Sequence, residues 1–124
     1  MTVDLEMFLS YSLETGLKVR SFPLVQEAEL RSLIAGGAEI EIVCLEEADK
    51  DARNRGEWII LVHRAEGERL VLVSSRSKHR IFLRFEGLCA YAAHTLELGE
   101  IRIPMREGES CRGMYHRDRQ PGAG

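Results

Sequence analysis

The stretch 58-WIILVHRAEGERLVLVSS-75 decides the fold class. Two apolar runs, 58–64 and 69–75, flank the polar, glycine-containing 65-AEGE-68, which is the pattern of two strands joined in a hairpin. Working outward, 76-RSKH-79 reads as a turn and 80-RIFL-83 as a strand that pairs back. Residues 86–98, EGLCAYAAHTLEL, put Leu88, Tyr91, Ala92, Thr95 and Leu96 on one helical face, with Gly99 as the stop. Residues 100-EIRIPM-105 predict a closing strand ended by Pro104. Upstream, 39-EIEIVCLE-46 predicts a strand with its glutamates on one face, and the polar stretch 46–57 a loop with at most one helical turn. A helix is expected over 25–35, between the strand-breaking Pro23 and the capping pair Gly36-Gly37. Residues 7–22 alternate on both sides of Gly16 and predict a further hairpin, with a helix over 4–14 as the alternative. Residues 106–124 are polar, glycine-rich and aperiodic, and predict a disordered tail.

A second feature bears on architecture. The stretch 78-KHRIF-82 echoes 18-KVRSF-22, and each is followed by a helical segment, a glycine and a Glu-led apolar strand. A shared element order at near-equal spacing is what duplication produces. The expected fold is therefore α+β. Two similar strand–strand–helix–strand halves, about 7–45 and 58–105, would form one antiparallel-dominated or mixed sheet with two main helices. These halves would make a single domain over 1–105. Phe22 and Phe82 would pack beneath their helices, whereas the Lys-x-Arg pairs preceding them have no packing role.

Composition excludes more than it assigns. The chain has 124 residues, 44% hydrophobic and 30% charged, with a formal net charge of -3. That balance gives no bulk attraction to nucleic acid or to an anionic membrane. Cys44, Cys89 and Cys111 are odd in number and scattered, so a disulfide framework is not expected and a reducing, cytoplasmic setting is. No apolar run approaches membrane-spanning length, and the acidic start MTVDLEMF is unlike a secretory signal.

The charges are unevenly placed. Residues 27–51 hold eight acids against Arg31 and Lys50, whereas 74–85, SSRSKHRIFLRF, hold Arg76, Lys78, His79, Arg80 and Arg84 and no acid. Lys18, Arg20, Arg76, Lys78, Arg80 and Arg84 are the candidate contact residues. Three readings stay open for them. They could contact phosphates of a nucleic acid, protect a sheet edge from aggregation, or pair with the acidic stretch of a neighbouring subunit. Other chemistry finds little support. No Cys-x-x-Cys or His-x-x-x-His spacing suggests a metal, and no phosphate loop or nucleophile elbow suggests a cofactor or a covalent mechanism. The expectation is a non-catalytic binding protein, acting through protein contacts and as a homodimer, with no cofactor. Nucleic-acid binding through residues 76–84 is the alternative, and a small enzyme of unknown chemistry is the third reading, for which the sequence offers no candidate and which a deep polar pocket around His63 or His79 would revive.

Over about residues 57–104, the hairpin, Arg80-x-Phe82, a short helix and Leu98-Gly99 before a last strand together resemble small accessory proteins of bacterial plasmids and integrative elements. Some of these are partition-associated and ParC-like. The resemblance implies an accessory role in the maintenance or transfer of mobile DNA, and it assigns no functional residue.

Overall fold

The computed structural model describes residues 22–74 and 78–119. Its element order is β1 (Leu24–Val25), α1 (Glu27–Ala35), β2 (Glu39–Asp49), a 3-10 turn (Lys50–Ala52), β3 (Arg55–His63), β4 (Arg69–Leu72), α2 (Phe85–Ala90), and β5 (Ser110–Met114). The strands form one mixed sheet in the order β1-β4-β3-β2-β5. The class is α+β with two helices, as the periodicities predict.

The hairpin at 58–75 is present, with Leu61 opposite Val71 and His63 opposite Arg69. It fills the space between β1 and β2. Strand β1 runs parallel to β4, and β2 is antiparallel to β3, so β1 and β2 point the same way with two strands between them. A parallel connection of that kind needs a crossover, and α1 provides it. Gly37, at φ 105, ends α1 in a Schellman arrangement in which Ala38 N–H donates to Leu33 O at 3.0 Å.

Alternation sorts the sheet into two faces. Ile40, Ile42, Cys44, Trp58, Ile60 and Val62 face both helices, meeting Leu30 and Ile34 of α1 and Leu88 of α2. Val43, Leu45, Ile59, Leu61 and Val71 form a second buried cluster, with Phe22 and Ile81 packed against it. Gly56 is required where the strands crowd, since a Cβ there would lie 2.8 Å from both Glu46 O and the Trp58 ring.

Several expectations are corrected. The tail is not featureless, because residues 110–114 pair with β2 and residues 117–119 form a 3-10 turn. Residues 100–105 form no strand. They run alongside the sheet instead, and the carbonyl of Pro104 accepts the indole N–H of Trp58 at 2.8 Å. The second helix is shorter than 86–98. It passes into a π turn at Tyr91–Thr95 and ends where Glu97 adopts φ 53, two residues before Gly99. The 46–57 loop is smaller than expected, because β2 continues to Asp49 and β3 begins at Arg55. Residues 80–83 form no named strand and pair back through a single bridge, Trp58 with Phe82, while the preceding His79 bridges to Val73.

The two-half repeat is not reproduced among the described residues. Phe82 packs with the helix-side cluster, whereas Phe22 lies against the opposite face. The strand that should follow the second helix is also absent, for the segment after it stays irregular. The hairpin expected over 7–22 falls outside the described residues, apart from Phe22.

Candidate functional site

Strand directions divide the charged side chains between two ends of the sheet. One end holds the start of β2, the finish of β3 and the finish of β5. There Glu39 accepts from Arg112 Nε and from the Tyr115 hydroxyl, the latter at 2.6 Å. Burial alone would raise the Glu39 carboxyl, but these hydrogen bonds and the Arg112 charge outweigh it and hold the group below the usual carboxylate range. Beside it, His63 Nε2 lies 2.7 Å from Glu41 Oε1, with side chains only 9% and 12% exposed. Arg64 pairs with Glu68 across the hairpin turn at 3.2 Å, and Arg117 pairs with Glu97 at 2.9 Å. A depression of about 520 Å³ opens here, lined in part by Gly37, Glu39, His63, Arg112 and Tyr115. Among the described residues no hydroxyl or thiol hydrogen-bonds to His63, whose polar partner is Glu41. The network is closed on itself, and it positions β5.

The other end holds the finish of β2, the start of β3 and segment 78–84, and it is built differently. The β2–β3 connection turns on Asp49, whose Oδ1 accepts from Asp51 N–H at 2.9 Å, and on Arg53 and Asn54, both with positive φ. Glu47, Asp49 and Asp51 are exposed along it. The loop after residue 105 comes back to the same corner, where Cys44 N–H donates to Glu109 O at 2.9 Å. The Cys44 thiol registers the negative charge gathered there. Burial pushes it up first, the fields of Glu47, Glu107 and Glu109 add to this, and it reaches about 12.

The same connection carries Lys50, Arg53 and Arg55, and the basic segment 78–84 lies beside it. Arg80 places its guanidinium over the rings of Phe82 and Tyr91, 5.0 Å and 5.3 Å from their centroids. Tyr91 is fixed in turn by its hydroxyl, which donates to Glu27 at 2.8 Å. Burial and that bond push the phenol up, so it stays protonated. Arg84 donates to Arg53 O at 3.0 Å, which ties segment 78–84 to the β2–β3 turn. Arg80 separates two depressions. One of about 410 Å³ is lined by Arg55, Glu57, His79, Ile81 and Leu83, and one of about 360 Å³ by Gln26, Glu27, Val73 and Tyr91. Leu83 is 40% exposed at the rim of the first.

Of the six residues proposed from sequence, Lys78, Arg80 and Arg84 therefore come together at one end, with Arg53 and Arg55 added by the fold. Lys18, Arg20 and Arg76 lie outside the described residues. Among the described residues, none of Arg53, Arg55, Lys78, Arg80 and Arg84 is ion-paired, and neither is any of Glu46, Glu47, Asp49 and Asp51. Sequence reasoning missed Arg53 and Arg55, which stand apart from the basic run. It also missed the Glu39–Arg112–Tyr115 group, in which Glu39 lies over 70 positions from the other two. The one legible hint was that Glu39 and Glu41 share a strand face.

No three His, Cys, Asp or Glu side chains are grouped to hold a metal ion among the described residues. No described helix is long and apolar enough to cross a membrane. Comparison with protein-family models, with curated proteins and with solved structures found no match.

Proposed function

We propose that this protein is a non-catalytic accessory protein that works through protein contacts, with the Arg80 groove as its contact site and an acidic segment of a partner protein as its ligand. One observation carries this reading. Arg80 is held over two aromatic rings and lines two depressions, with no carboxylate at ion-pair distance among the described residues. Stacking fixes the side chain in advance, so little rotamer entropy remains to be lost on contact. The lining is basic at Arg55 and Arg80 and apolar at Ile81 and Leu83, with its carboxylate, Glu57, buried, and this suits a peptide that alternates carboxylates with aliphatic side chains. The likeness to plasmid accessory proteins would set such contacts in the maintenance of mobile DNA.

Nucleic-acid binding is the second reading, favoured by the clustering of Lys78, Arg80 and Arg84 without acids between them. Fluorescence anisotropy separates the two. A labelled Glu/Leu-rich peptide should bind in a salt-dependent way, and Arg80→Glu should weaken it by about tenfold or more. A protein that ignores the peptide but binds duplex or single-stranded DNA at low salt would replace the first reading by the second.

A further inference from the structure

We propose that the sheet face turned away from both helices is an internal docking surface, and that its occupant is the chain's own N-terminal segment, residues 1–21. The Arg80 groove plays no part in this contact.

The face is sealed. Val43 and Leu45 of β2, Ile59 and Leu61 of β3 and Val71 of β4 are each no more than 5% exposed. This burial is reached within one chain, so it does not depend on a second copy. With neighbouring strands roughly 5 Å apart, the cluster is about 10 Å wide, and something must lie over all of it. Both helices lie elsewhere, for Leu30, Ile34 and Leu88 pack on the opposite face. The chain after α2 is spent there too, through Ile101, Ile103 and Met114. The described apolar side chains that pack on the sealed face are Phe22 and Ile81. Two side chains cannot bury five that are spread over three strands.

Three stretches of chain lie outside the described residues. Of these, 75-SRS-77 and 120-QPGAG-124 carry no large apolar side chain, whereas 1–21 carries Leu5, Phe8, Leu9, Leu13 and Leu17. Phe22 marks the entry point. It packs on this cluster with the Arg69 guanidinium 4.4 Å from its ring centroid, and the carbonyl of Pro23 accepts from Val71 N–H at 2.9 Å. The chain before Phe22 therefore arrives on this side of the sheet, beside β4. Length is no obstacle, since even a ten-residue helix spans roughly 15 Å. Leu9 and Leu13 belong to the apolar set whether 7–22 alternates as a hairpin or 4–14 turns as a helix, so both periodicities supply the cover. An apolar sheet face left open would be a contact patch or an aggregation hazard. Covered from within, it is withheld from partners, and their contacts fall to the ends of the sheet.

The test is methyl-resolved NMR on the full chain. Cross-relaxation should join the side chains of Leu9 and Leu13 to the methyl groups of Leu45, Ile59, Leu61 and Val71, and a soluble nitroxide should leave those methyl signals unbroadened. In thermal unfolding, Leu9→Ala and Leu13→Ala should each lower the midpoint by about 5 °C or more. Ser10→Ala and Glu14→Ala, which stand off the apolar stripe under either periodicity, should stay within about 2 °C of wild type. Contacts from residues 1–21 that reach none of the four side chains, nitroxide broadening of that face, or equal shifts in the two pairs of variants would each overturn the proposal. Contacts seen only between a labelled and an unlabelled chain would give the face to a second copy and overturn it as well. Should a leucine variant fail to fold, the wild-type contacts and nitroxide response decide the point without it.

Discussion

The two ends of the sheet handle charge in opposite ways. At the end around Glu39 and His63, Glu39, Glu41 and Glu68 each meet a base or a hydroxyl, and the product is structural, because β5 is fastened to β2 there. At the end around Arg80, Lys50, Arg53 and Arg55 are interspersed with Glu47, Asp49 and Asp51 without an ion pair among the described residues, and the fixed geometry comes from packing. Trp58 lies fully buried under this end, held by Pro104 O and bridged to Phe82, and the aromatic pair Phe82 and Tyr91 carries Arg80 above it. An end whose charges are spent on one another contributes stability. The end whose charges rest on an apolar platform is the one proposed to bind.

This contrast can be broken by substitution. The largest effect is expected from Trp58→Ala. It removes the platform beneath the open end and leaves the carbonyl of Pro104 without its donor, costing about 3–5 kcal/mol, to be read from urea unfolding. The next is His63→Leu, which strips the nearly buried Glu41 of its partner and should cost about 2 kcal/mol by the same measurement.

Smaller and pH-dependent is Glu39→Gln. Because the folded Glu39 carboxyl is held down, its contribution is fully present above its unfolded value, about 4.3, and is lost as pH falls through the folded value. Between pH 7 and pH 3 the wild type should therefore lose more stability than the variant. A variant with the same acid limb would deny Glu39 its fastening role.

The smallest effect on stability is expected at the open end. Arg80→Gln and Glu47→Gln should each stay within about 0.5 kcal/mol of wild type. If Glu47→Gln destabilised the monomer by more than His63→Leu, the two ends would not differ as described.

The β3–β4 hairpin was legible because it is local. Its two apolar runs and their turn lie within eighteen positions of one another. Strand β5 was not legible, for SCRGM carries a glycine at positive φ and only one fully buried apolar anchor, Met114. Its register is irregular as well, shifting between Ile40 and Glu41 of β2. It is a strand because β2 offers a free edge and Glu39 offers a fastening, and neither appears in its own residues. The repeat misled for a related reason. Two similar pentapeptides, at 18–22 and 78–82, share spacing and composition, yet the faces on which Phe22 and Phe82 fall depend on which strand each segment meets.

By itself the sequence determined the secondary-structure class, the helix-facing apolar set, and an uneven distribution of charge along the chain. Period and hydrophobicity are properties of neighbouring residues, so they survive without a fold. Only the tertiary structure decided that strands β3 and β4 insert between β1 and β2, and that an acidic segment and a basic one, some thirty positions apart, share one end of the sheet. Strand order sets those distances, and strand order follows from which buried faces and free edges meet.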